Sequence, residues 1–203
     1  CAAGELLTAI QQAGNANVIG VELDPDTADR ARARGIDVRT GTLEDSALPS
    51  ASIDTAILSH TIEHVPDPLA MLCELYRVLT PDGTLILWLP NADSIETRLL
   101  GNYWIGYDAP RHLTTFSVET LTFTLHQAGF AVTKVTHEAV GLEWAWALRL
   151  FARDRWPRAE RVLKPLHPLL IVAGTPLALV GKLSGRSGRI RVIARPGAVR
   201  SDL

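Results

Sequence analysis

Residues 54–91, DTAILSHTIEHVPDPLAMLCELYRVLTPDGTLILWLPN, decide the fold. Two apolar runs, TAIL at 55–58 and TLILWL at 84–89, flank a segment with helical period. Strands apolar on both faces are what a parallel sheet covered by helices requires, so the stretch predicts a β-α-β unit. Asp67 and Pro68 suit the N-cap and first position of the helix, and Pro81-Asp82-Gly83 suits the turn into the second strand. Leu69, Leu72, Tyr76 and Leu79 form the expected buried stripe, and Cys73 reads as a small buried hydrophobe. In doubly wound α/β sheets ligands bind at the carboxyl ends of the strands, which predicts that residues 59–66 and Pro90-Asn91 line one cleft.

The run SHTIEHVPDP at 59–68, with LYRVLTPDGTLILWLPN at 75–91, resembles the middle of the class I S-adenosylmethionine-dependent methyltransferases. The branch it is similar to includes quinone-ring and sugar O-methyltransferases, and the resemblance extends from Cys1 to about Val140. It implies a Rossmann-like fold with S-adenosylmethionine as cofactor. It also implies that Ser59, His60 and the Glu63-His64 pair contact the methionine part of the cofactor and face the acceptor. The same residues spell a rival. His60-Thr61-Ile62-Glu63-His64 is H-x-x-E-H, the inverted zincin pattern, which needs one helix across all five positions so that both histidines share a face. An apolar strand ends at Ser59 and Pro66 disfavours helical geometry at Val65, so no metal centre is expected. A hydrogen-bonding role at a strand-to-helix turn is the plainer reading of His64.

Toward the N-terminus, Cys1-Ala2-Ala3-Gly4 leads into a helix carrying Leu6, Leu7, Ile10 and Ala13, with Gly14 as its stop. A small-residue turn entering a helix lets backbone N–H groups approach a polar ligand. The resemblance makes Cys1, Ala2 and Gly4 the back half of the family's glycine-rich loop, and implies that a first, central strand precedes Cys1. The chain is then expected to be a fragment of a longer protein. Residues 18–22, VIGVE, form the next strand, and Asp24-Pro25 opens a helix with Ala28, Ala31 and Ala33. A carboxylate at a strand end about 20 residues beyond a glycine turn is placed to accept both hydrogen bonds of a ribose diol, which singles out Glu22. The alternative, an acid favoured by the helix dipole, suits Asp24 better. Residues 35–39 make an edge strand before Gly41-Thr42-Leu43-Glu44-Asp45. In the family this loop holds the adenine, and Thr42 stands where Asp is common. The side-chain contact then shifts to Glu44 or Asp45, with Leu43 and Glu44 as the candidates; a solvated acidic loop is the alternative.

Downstream, residues 92–100 have helical character and residues 101–113 read GNYWIGYDAPRHL. Aromatics and polar side chains in a loop punctuated by Gly and Pro make a poor core and a good lid or acceptor pocket. The pattern YW…DAPRHLTTFS, followed by a helix and Gly129-Phe130, resembles a subgroup of these methyltransferases. It implies that Trp104 and Tyr107 stack on a substrate ring while Arg111 and His112 orient it. His60 and His112 are the candidate bases, required only for an acceptor hydroxyl of high pKa. A hydrogen bond tying the lid to the sheet is the alternative for His112. Ser117 caps a helix over 118–127, residues 130–137 form a sixth strand, and GRIRVIAR at 188–195 alternates with period two as an antiparallel last strand. That reversed strand separates the pattern from a dinucleotide dehydrogenase.

At 203 residues and 47% hydrophobic content, one domain over 1–203 is expected, with a helical insertion at 141–187. Cys1 and Cys73 offer no disulfide framework, so a reducing, cytoplasmic setting is expected. Residues 1–148 carry 8 Lys+Arg against 19 Asp+Glu, whereas residues 149–203 carry 12 against 3. This asymmetry predicts two surfaces with different partners. Residues 166–183, LHPLLIVAGTPLALVGKL, fall short of the roughly 20 residues a spanning helix needs. Pro168, Gly174 and Pro176 are expected to break them into more than one helix. Arg149, Arg153, Arg155, Arg158, Arg161 and Lys164 precede this stretch, and Lys182, Arg186, Arg189 and Arg191 follow it. The expectation is attachment to an anionic membrane surface without spanning; the alternative is a helix pair that covers the active site.

Together these readings predict methyl transfer from S-adenosylmethionine to a small-molecule acceptor, lipid-linked as a quinone or sugar precursor, with no nucleic-acid partner. Two other classes compete: a nicotinamide-dependent oxidoreductase, which shares the glycine turn and ribose acid, and a non-catalytic cofactor-binding remnant.

Overall fold

The computed structural model describes residues 1–14 and 17–197. They fall into two compact units, Cys1–Ser52 and Ile53–Leu203. The first contains α1 (Glu5–Ala13), β1 (Ile19–Glu22), α2 (Pro25–Arg32) and β2 (Asp37–Thr40). Strands β1 and β2 pair in parallel, Ile19 with Asp37 through Glu22 with Thr40. Asp24 caps α2 by accepting from Thr27 N–H at 2.9 Å, and Pro25 occupies its first turn. Ala28 and Ala31 are fully buried with Ile36 and Val38, and Leu7 and Val18 pack on them. Ala33 lies past the helix end and is exposed.

The second unit runs β3 (Ile53–Ser59), α3 (Pro68–Val78), β4 (Leu79–Pro90), α4 (Ile95–Leu100), α5 (Val118–Gln127), β5 (Phe130–Glu138), α6 (Leu142–Arg155), α7 (Pro157–Leu163), α8 (His167–Leu183) and β6 (Arg189–Pro196). Its sheet has the order β3-β4-β6-β5. Strands β3 and β4 are parallel, as the β-α-β reading requires, and β6 lies antiparallel between β4 and β5. Leu85, Leu87, Leu89, Ile190, Val192 and Ala194 put one face of β4 and β6 into the core. The protein is thus an α/β fold of Rossmann-like type whose last strand is reversed. Local caps match the sequence: Asp67 accepts from Ala70 N–H at 2.9 Å, and Ser117 and Thr120 form a capping box on α5.

Three expectations need correction. The buried stripe of α3 is Leu72, Leu75 and Val78, while Leu69, Tyr76 and Cys73 are exposed. Apolar residues at adjacent positions of this helix fit two overlapping stripes, and packing selects one. Pro81-Asp82-Gly83 is a bulge inside one long strand, where pairing with β3 jumps from Ile53–Leu79 to Thr55–Thr84. Finally, α8 is one continuous helix of 17 residues. Pro168 sits in its first turn, where no backbone donor is needed, and Pro176 is accommodated within the helix. Gly174, Ala178 and Gly181 are its buried residues, so large side chains such as Leu169, Val172, Val180 and Leu183 are exposed. Helices α7 and α8 meet at a 90° bend, and among the described residues no single helix is long and apolar enough to cross a membrane.

Candidate active site

In the first unit the chemistry gathers at the end of β1. Glu22 Oε2 accepts hydrogen bonds from the Cys1 and Ala2 nitrogens, both at 2.7 Å, and Oε1 accepts from Asp24 N–H at 3.3 Å. Burial raises this carboxyl, while the hydrogen bonds from the Cys1 nitrogen, Asp24 and Ala2 hold it below the usual range. It is therefore ionised at neutral pH. Ala2 and Gly4 both have left-handed backbones, with φ of 50° and 83°. A Cβ on Gly4 would lie 3.1 Å from that of Ala31, so glycine lets the start of α1 approach α2. The structure thus brings Cys1, Ala2, Gly4 and Glu22 together. It differs from the expected diol clamp in one respect: Oε2 is taken by the turn, which leaves Oε1 with the spare acceptor capacity. A half-buried anionic oxygen beside a left-handed small-residue turn fits a ribose hydroxyl.

In the following loop Asp45 accepts from Thr42 N–H at 3.0 Å and from its hydroxyl at 2.8 Å. These bonds close the turn and lower the Asp45 carboxyl. Leu43 is buried and Glu44 exposed, so of the two acids only Glu44 is free of this turn.

In the second unit β3 ends at Ser59, which is exposed, and the chain turns sharply at His60, whose φ is 49°. His60 N–H bonds to Trp88 O at 2.8 Å, and its Nδ1 lies 3.1 Å from Glu63 Oε1. A single 3-10 turn, Ile62–His64, follows, so H-x-x-E-H does not lie on one α-helix. The lid folds back on this turn: Leu113 and Thr114 N–H donate to Glu63 O at 2.8 and 3.2 Å. His64 Nδ1 bonds Arg111 O at 2.9 Å, His112 Nδ1 bonds Gly106 O at 2.7 Å, and the two rings meet edge to face at 4.7 Å. Glu63, Leu89, Pro90, Trp104, His112 and Phe116 line a narrow, largely buried depression here with no room for a water molecule.

Two lid assignments change. Trp104 is 1% exposed, with Tyr107 edge-on at 5.0 Å, so it forms the floor of the loop rather than a free stacking surface. Tyr107 itself is exposed. The Arg111 guanidinium pairs with Asp108 at 2.6 Å on the exposed side, which raises its pKa and occupies it outside the depression. The His112 bond runs to Gly106 within the lid rather than to the sheet, and it leaves Nε2 unengaged by that bond. Sequence reasoning missed that Glu63 is a buried carboxylate, 2% exposed, whose Oε2 has no hydrogen-bond partner among the described residues. It also missed Glu96 and Glu143, buried acids pushed up by desolvation, the second paired with Arg189 at 3.3 Å. Both lie in a first helical turn and carry no mark that distinguishes them from surface acids.

A sheet closed by an antiparallel strand in the second unit, and an acid at the end of β1 gripping a small-residue turn in the first, are each features of Rossmann-like methyltransferases. The profile of the family described as "Methyltransferase domain" matches residues 1–135, and the chain belongs to that family, whose cofactor is S-adenosylmethionine. It is 33% identical over 120 residues to a probable S-adenosylmethionine-dependent methyltransferase of Mycolicibacterium smegmatis, over 57% of this chain and 44% of that protein. A ubiquinone biosynthesis O-methyltransferase of Actinobacillus pleuropneumoniae is 34% identical over 96 residues, 42% of this chain and 41% of that protein. The solved S-adenosylmethionine-dependent methyltransferase of Archaeoglobus fulgidus superposes with a TM-score of 0.64 at 22% identity, over 96% of this chain and 82% of that one. The chain spans less than half the length of these curated relatives.

Proposed function

We propose that the chain is part of an S-adenosylmethionine-dependent methyltransferase acting on a small molecule carried on a lipid, such as a quinone or a polyprenyl-linked sugar. The ionised Glu22 carboxylate, bound to the Cys1–Ala2 backbone, is the observation that carries the cofactor half of this reading. The two units then belong to one methyltransferase domain, with residues 141–187 as its insertion; the family match across residues 1–135 supports this. S-adenosylmethionine, when bound, supplies a methyl group already activated on a sulfonium. Cys1, Ala2, Gly4, Glu22, Leu43 and Glu44 are the proposed adenosine contacts, and Ser59 and His60 the proposed contacts to its methionine part. Tyr107 and His112 meet the acceptor above the Trp104 floor. Holding the acceptor in place and excluding water contributes up to about 7–11 kcal/mol. His60 is oriented by Glu63, and with Nδ1 donating to the carboxylate its Nε2 accepts the proton of a hydroxyl acceptor.

Isothermal titration with S-adenosylmethionine tests the cofactor half. Glu22→Ala is expected to weaken binding by about 1–3 kcal/mol, the cost of losing a charged hydrogen-bond acceptor, while the fold persists. Wild-type affinity in the variant would remove Glu22 from the site. For the acceptor half, His112→Ala is expected to lower kcat on the order of 100-fold with little change in cofactor affinity. An equal loss in cofactor affinity would move His112 to the cofactor side.

We also propose that the insertion attaches the protein to an anionic membrane surface. The support is the inverted packing of α8, with small residues inward and large apolar ones outward. Arg153, Arg155, Arg158, Arg161, Lys164, Lys182 and Arg186 are exposed around it. Arg149 pairs inward with Glu160 at 2.7 Å, Arg189 pairs with Glu143, and Arg191 lies over the Trp88 ring, so these three leave the basic set.

A further inference from the structure

We propose that Glu63, His64 and His112 bind one divalent first-row transition-metal ion. Each offers a ligand atom, and these atoms all lie within 4.8 Å of one another. The hydrogen bonds around them select which atoms are available. His64 Nδ1 faces Arg111 O and His112 Nδ1 faces Gly106 O, both carbonyl acceptors, so each Nδ1 carries the ring proton in the neutral form. Their Nε2 atoms then hold lone pairs, and a backbone acceptor on the opposite nitrogen is the usual support of a metal-bound imidazole. Glu63 is 2% exposed and spends Oε1 on His60, while Oε2 is buried with no hydrogen-bond partner among the described residues. A buried carboxylate oxygen left unpaired is costly unless a cation or donor meets it. Two neutral imidazoles cannot donate to it through unprotonated nitrogens, whereas an ion held by all three residues would meet its charge.

The site is also held together by backbone. Leu113 and Thr114 N–H both bond Glu63 O, fixing the lid against the turn after β3, so the three ligands do not depend on long side-chain reach. His64 is exposed and His112 partly so, which leaves coordination positions open to a substrate. Two imidazoles and one carboxylate with open positions suit Zn²⁺, Fe²⁺ or Co²⁺ rather than the hard, oxygen-seeking Ca²⁺ or Mg²⁺. This is not the inverted zincin set. That pattern pairs His60 with His64, whereas the fold turns His60 aside to Glu63 and supplies His112 from the lid instead. The role of the ion rests on the methyl-transfer reading: it would bind the acceptor oxygen and lower its pKa so that the deprotonated form is available near neutral pH. His112 then acts as a ligand and His60 as the proton acceptor.

Titration of the protein with Co²⁺, followed by visible absorption and displacement with Zn²⁺, tests the site without any methyl donor. One equivalent is expected to bind. Glu63→Gln, which keeps shape, and His112→Ala are each expected to weaken binding more than about 100-fold, beyond the 10- to 100-fold typical of losing a supporting group. His60→Ala is expected to keep the absorption band. No band in the wild type, a band unchanged in both ligand variants, or a band lost in His60→Ala alone would overturn the site. Circular dichroism and S-adenosylmethionine titration of each variant separate ligand loss from misfolding. Co²⁺ binding through these residues without methyl transfer would keep the site and overturn the proposed function. Methyl transfer without Co²⁺ binding would do the reverse.

Discussion

Gly141→Ala is expected to lower the midpoint of thermal unfolding by several degrees, and Gly174→Ala to do nearly the same. The backbone at Gly141 has φ of −73°, which any residue adopts, so the effect is one of space alone. A Cβ there would lie 2.0 Å from Ile171 O and 2.5 Å from Thr175 N, both backbone atoms of α8 that cannot rotate away. At Gly174 the added carbon would meet Gly141 O at 2.8 Å and Trp144 Cβ at 2.9 Å. Each methyl therefore forces α6 and α8 apart, and overpacking of this kind costs about 1–3 kcal/mol. For a protein of this size each kcal/mol moves the midpoint by about 2–4 °C. Scanning calorimetry on the two variants measures it. Midpoints within a degree of wild type in both would mean that the close approach of the two helices contributes nothing to stability.

That contact also explains where sequence reading stopped. The caps at Asp24, Asp67 and Ser117 were legible because a cap is local, a side chain meeting an N–H three residues on. The reversed β6 was legible from its period-two alternation, and the β-α-β unit from two apolar runs around a helical one. Glu22 was legible because strand end and acid coincide. The continuity of α8 was not. Pro and Gly read as breakers on propensity, yet Gly174 sits where α8 crosses Gly141, so tertiary packing overrides the local preference. The inward turn of Trp104 was equally hidden. A Cβ on Gly106 would lie 2.2 Å from its ring, so the space that receives the indole depends on a residue two positions away having no side chain. The Glu63-His64-His112 trio joins two segments far apart in the sequence, one after β3 and one in the lid. Apolar periodicity carries no information about such a pairing.

Flotation with anionic vesicles at low salt is expected to carry the intact protein upward, and replacing Leu169, Val172, Val180 and Leu183 by serine is expected to leave it at the bottom. These four side chains lie on the outer face of α8, with Val172 70% and Leu183 79% exposed. Gly174, Ala178 and Gly181 hold the inner face, so the substitutions remove no packing from the core. An exposed apolar side chain that becomes fully buried contributes about 1.5–3 kcal/mol, and each nearby base about 1 kcal/mol at an anionic leaflet. Four such side chains with only some of the seven exposed bases exceed what a marginal single anchor supplies, so association should be close to complete. The two contributions separate by salt. Arg158→Glu with Arg161→Glu and Lys164→Glu should weaken flotation on anionic vesicles most at low salt and leave the variant less salt-sensitive than the wild type, whose association weakens as salt rises. Affinity for S-adenosylmethionine should be unchanged in the serine variant, because α8 carries none of the proposed cofactor contacts. An intact protein that stays at the bottom at low salt would remove the membrane from the function and make the outer face of α8 a surface for something else.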